Sequence, residues 1–84
     1  MIYVPAIRFK DSVYCVYLNP KPQTPALAGD LELGPFGPYE TRAEALAALV
    51  KLLRQRVSPD LIIEVLGRPY TNVEQAVAAL PITG

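Results

Sequence analysis

At 84 residues, with eight basic and eight acidic side chains, one cysteine and no histidine, the chain has room for one small domain and few bond-making groups. An apolar share of 51% suits a folded domain and excludes a disordered one. A net charge of zero leaves no electrostatic footprint for gripping a phosphate backbone, and the lone Cys15 excludes an internal disulfide.

From Ile2 to Leu18 the chain is dense in Val, Ile, Tyr and Phe, interrupted by the polar Lys10-Asp11-Ser12. This predicts a β-hairpin with Asp11 and Ser12 as the loop, pairing Lys10 with Val13, Phe9 with Tyr14, Arg8 with Cys15 and Ile7 with Val16. Tyr3, Ile7, Phe9, Tyr14, Val16 and Leu18 then share an inward face, while Val4, Ala6, Arg8, Lys10, Val13, Cys15 and Tyr17 face outward. Pro5 lacks the amide hydrogen of a central ladder, which points to an edge position for the first strand, at least over that residue. Residues 19–29 form a Pro-rich loop, with prolines at 20, 22 and 25. Asp30 to Leu33 reads as a short third strand, broken by Gly34-Pro35-Phe36-Gly37-Pro38.

Thr41-Arg42-Ala43-Glu44 has the spacing of a capping box, and a helix follows with its stripe on Leu46, Leu49, Val50, Leu53 and Val57. Arg54 and Arg56 suit the negative end of its dipole. Ser58-Pro59 breaks it. Asp60 to Leu66 has strand composition, although Ser58-Pro59 could also begin a short helix there, and a strand is favoured. Gly67-Arg68-Pro69 reads as a turn. Thr71 to Glu74 repeats the capping-box spacing before a second stripe, Val73, Ala76, Val77 and Leu80, which Pro81 terminates. A slide of 30 residues aligns Asp30 with Asp60, Gly37 with Gly67, Thr41 with Thr71 and Glu44 with Glu74, as a twice-used strand, turn and capped helix would.

Together these elements predict a single α+β domain over residues 1–84. Its order is β-β-β-α-β-α, with a mainly antiparallel sheet of three to four strands and the helices on one face. The absence of a charged leader or a long apolar run predicts a cytoplasmic protein with no membrane partner.

Catalysis is hard to assemble from these residues: no imidazole is present, Cys15 has no evident activating partner, and Glu44, Glu74, Asp11 and Glu40 serve caps and turns. Glu32 and Glu64 would make an acid or metal pair only if their strands adjoin, so no catalytic residue, cofactor or metal is expected. The glycine-proline run 34–38 lacks the Lys and Ser or Thr of a phosphate loop. Two surfaces remain. Ala45, Ala48 and Leu52 widen the apolar arc of the first helix; unless the second helix or the Pro-rich loop covers them, they form a contact patch for a partner protein or a homodimer. Arg8, Lys10 and Tyr17 on the outer hairpin face resemble a small platform for RNA or single-stranded nucleic acid, the alternative function.

The string Gly37-Pro38-Tyr39-Glu40-Thr41-Arg42-Ala43-Glu44-Ala45-Leu46 after a hairpin resembles the strand-to-helix junction of HicB-type antitoxins, small cytosolic proteins with a partial RNase H-like fold. The resemblance covers about the first 57 residues, and the 61–66 strand extends it. It implies a protein that sequesters a toxin ribonuclease by direct contact, usually as an oligomer. The long Pro-rich insert after Leu18 departs from the family pattern. The same string resembles the second half of SPOR domains, whose flanking strands are missing here. The expected function is therefore a small non-catalytic, protein-binding neutraliser or inhibitor, antitoxin-like or of the kind phages and mobile elements encode.

Overall fold

The computed structural model describes residues 2–21, 32–56 and 59–83. Most of the Pro-rich loop, Asp30-Leu31 of the expected third strand, and Val57-Ser58 lie outside them. The elements are β1 (Ile2–Lys10), β2 (Val13–Pro20), β3 (Phe36–Tyr39), α1 (Arg42–Gln55), β4 (Ile62–Val65), β5 (Arg68–Tyr70), α2 (Val73–Ala78) and β6 (Ile82–Thr83). The α+β class holds, but the sheet is mixed and among the described residues has six strands, in the order β3-β2-β1-β4-β5 with β6 also beside β1.

The hairpin has the register that its pattern predicts, from Ile7 opposite Val16 to Lys10 opposite Val13. Asp11 and Ser12 stand at φ 55° and 65°, the left-handed pair of a two-residue type I′ turn whose twist matches the strands. Tyr3, Ile7, Val16 and Leu18 are buried as expected. Phe9 is not: it is 41% exposed at the hairpin tip, beyond the helical layer, where it stacks on half-buried Tyr14 with ring centroids 4.6 Å apart.

The expected edge position of β1 holds only locally, at Pro5, and is overturned for the strand as a whole. The strand is central, antiparallel to β2 on one side and parallel to both β4 and β6 on the other. Proline is tolerated there for a geometric reason. The Lys21 amide donates to the Ile2 carbonyl at 2.7 Å, so by the alternation of antiparallel pairs the Pro5 nitrogen points away from β2. On that other side β4 pairs only Ile2 and Tyr3, and β6 only Ile7 and Arg8. Pro5 occupies the gap between the two ladders.

The third strand is displaced from residues 30–33 to Phe36–Tyr39. Leu33 instead ties the incoming chain to the end of β2, its carbonyl accepting from Leu18 N–H at 2.9 Å and its amide donating to Asn19 Oδ1 at 3.1 Å. Phe36 and Tyr39 pair with Val16 and Tyr14 and pack against the core. Pro38 is admitted because β3 is an edge strand. Gly34, at φ +127°, lies so close to β2 that a Cβ would come within 2.8 Å of the Val16 carbonyl oxygen.

Thr41 caps α1, its hydroxyl accepting the Glu44 amide at 3.2 Å, while Glu44 Oε2 accepts from the Glu40 amide at 3.2 Å. Leu49 and Leu53 are fully buried, and Leu46 and Val50 pack at the core margin. The second cap is shifted by one residue: Asn72, not Thr71, receives the Gln75 amide at 3.0 Å. Glu74 is thereby freed to pair with Arg54, tying α2 to the end of α1. The 30-residue correspondence gives way to one of 31 residues, in which Pro38-Tyr39 and cap Thr41 match Pro69-Tyr70 and cap Asn72. Gly37 and Gly67 are not equivalent, since one lies in β3 and the other in the β4–β5 turn.

The turn expected at 67–69 is instead Leu66-Gly67, at φ 52° and 78°, and Arg68–Tyr70 form β5. After α2 the chain returns as β6 beside Ile7 and Arg8. All of Tyr3, Ile7, Val16, Leu18, Ile63 and Val65 point to the helical side, where they meet Ala45, Leu49, Leu53, Ala76, Val77 and Leu80. Replacing Leu49 by Ala in this core is expected to cost about 2–5 kcal/mol in denaturant unfolding. Thr41→Ala, which removes only the cap, is expected to cost about 1 kcal/mol.

Candidate interaction surface

Because side chains alternate along a strand, the burial of one sheet face dictates the composition of the other. Opposite the helices stand Val4 and Ala6 of β1, Val13, Cys15 and Tyr17 of β2, and Ile62 of β4, all half-buried. Sheets with one solvated face ordinarily place polar residues there. Among the described residues no helix covers this outer face.

Its charged groups are arranged around the apolar strip. Arg8 and Tyr17 are diagonal neighbours across the β1–β2 ladder, and the guanidinium lies 4.3 Å from the ring centroid, within cation–π range. Arg8 Nη1 also reaches Glu32 Oε1 at 3.8 Å, both side chains about half exposed. At the other end Lys21 Nζ bonds both Glu64 carboxylate oxygens, at 3.2 and 3.1 Å. Lys21 lies beside Ile2, and Arg8 is six residues further along β1, roughly 20 Å away. Glu32 and Glu64 are therefore held apart, each beside a cation, and form no acid pair. Among the described residues no group of three metal-ligating side chains occurs, and no helix is long and apolar enough to cross a membrane.

Of the platform residues, Arg8 and Tyr17 are brought together, and Lys10 is exposed at the hairpin tip. The helix patch is reduced. Ala45 is fully buried in the core and presents nothing to a partner, because α1 is rotated to seat it with Leu49 and Leu53. Ala48 and Leu52 are half-buried, Leu52 packing on the core margin. The sequence pattern did not single out Leu66, which is 76% exposed. Gly67 between the apolar run and Arg68-Pro69 was the available signal, since glycine readily takes the positive φ that the second position of a two-residue turn requires. Holding leucine at positive φ costs about 1–2 kcal/mol.

No family model, curated protein or solved structure matches this chain.

A double-mutant cycle on Arg8→Ala and Glu32→Ala, read by denaturant unfolding, is expected to give a coupling below about 1 kcal/mol that shrinks with added salt, as for an exposed ion pair.

Proposed function

We propose that the chain is a small, non-catalytic cytoplasmic module that neutralises or inhibits a partner protein by laying the outer face of its sheet against it. The observation that carries this reading is the apolar strip Val4, Ala6, Val13, Cys15, Tyr17 and Ile62 on the side away from both helices. An apolar surface rimmed by polar groups is the ordinary make-up of a protein contact. Arg8 with Tyr17, and Lys21 with Glu64, supply that rim. The edges offer a partner less. Among the described strands that are paired on one side only, β3 and β5 contain proline, at 38 and 69, which blunts pairing with an added strand, and β6 is only two residues long. The HicB likeness adds support, since hairpin, β3, α1 and β4 follow one another in the order it implies.

Nucleic-acid binding on the same face is the competing reading, and the Glu32 carboxylate beside Arg8 weighs against it by opposing a phosphate. The two are separated by titration. The tagged chain is used to recover a partner, which is then purified and titrated by calorimetry against wild type, Val13→Glu and Tyr17→Glu. Both variants are expected to keep the wild-type circular dichroism and to bind at least about tenfold more weakly, roughly 1.4 kcal/mol. Unchanged affinity in both overturns the outer-face assignment. In parallel, anisotropy with a random single-stranded RNA is expected to show no binding at physiological salt. Binding that falls steeply as salt is raised gives the function to nucleic acid.

A further inference from the structure

The gap that Pro5 leaves between the β4 and β6 ladders is a surface crevice of about 190 Å³, walled by Val4, Ala6, Val65, Leu80 and Pro81, with Glu64 and the base of Leu66 also on its lining. Its lining is chiefly apolar. A cavity of about 150 Å³ with such walls takes a benzene ring, so this one has room for an isobutyl group. On its rim stands Leu66, 76% exposed and held at φ 52°, a conformation leucine disfavours. Knob and hole thus share one patch of surface.

That juxtaposition selects the occupant. A two-fold dimer uses the same patch on both subunits, so the patch must complement itself, and a protrusion beside a recess of matching size and polarity does so. Edge pairing is discouraged at β3 and β5 by Pro38 and Pro69 and at β6 by its length of two residues, and a net charge of zero removes the overall repulsion between copies. We infer that a second copy of the chain docks here, each Leu66 entering the crevice between β4 and β6 of the other subunit. The strained turn is explained by this role, because Asn-Gly would form the same turn without strain and would lack the knob. The crevice shares Val4 and Ala6 with the outer face, but the docking turns on Leu66, whereas Val13 and Tyr17 of β2, which do not line the crevice, test the outer-face reading.

Sedimentation velocity of the full chain from about 10 µM to about 500 µM is the test, since self-association follows mass action. Wild type is expected to pass from monomer to dimer across this range. Leu66→Asn is expected to weaken the dimer at least about tenfold, roughly 1.4 kcal/mol, while melting no lower than wild type at a concentration where both are monomeric. Val13→Glu is expected to dimerise as wild type does. A wild type that stays monomeric throughout, a Leu66→Asn variant that dimerises equally well, or a dimer abolished by Val13→Glu would each overturn the inference. None of these bears on partner affinity measured with purified partner, except that the last would assign self-association to the outer face.

Discussion

β1 pairs with β2 along its whole length and shares its other side between β4 and β6, because residue 5 has no amide hydrogen to offer. After Tyr3 opposite Ile63, the next bond of a parallel ladder would run from that amide to the Glu64 carbonyl. Without it β4 turns away at Leu66-Gly67 into β5, and the vacated length of β1 receives β6 from the end of the chain. The placement of Pro5 thus makes a four-strand pattern into a six-strand mixed sheet. It also opens the crevice beside Leu66.

The second consequence concerns the faces. Tyr3, Pro5 and Ile7 alternate with Ile2, Val4 and Ala6, and Val16 and Leu18 alternate with Cys15 and Tyr17. Only the first set of each pair is buried under the helices, although both sets are largely apolar. A domain of this size gains stability from one helical layer, and its second apolar layer is half-buried, with no helix over it among the described residues. Ion pairs bracket that layer at Arg8 and at Lys21 without crossing it. The proposed binding role follows from this imbalance.

The sequence was most legible where one local rule decided the outcome. Asp11 and Ser12 between two alternating runs set the hairpin register, and Thr41 with Glu44 set the start of α1. It was least legible where pairing depends on a distant strand. The three residues of β5 and the two of β6 are too short for periodicity to show. β3 was hidden because glycine and proline, strand breakers by propensity, are accepted at a sheet edge. Thr71 and Asn72 are both good caps, and their order in the chain does not say which turns inward to begin the helix. Ala45 looked like surface because its neighbours Ala48 and Leu52 continue the same arc, yet a few degrees of helix rotation seat it in the core.

The claim on which the functional reading rests is that the outer face of the sheet is open in the isolated chain. Methyl relaxation in the presence of a soluble paramagnetic agent measures this directly. The methyls of Val4, Ala6 and Val13 are expected to relax strongly, and those of Ile7, Val16 and Leu18 weakly. Equal protection of Val4 and Val13 with Val16 would mean that the outer face is already covered within the chain, and would contradict the account.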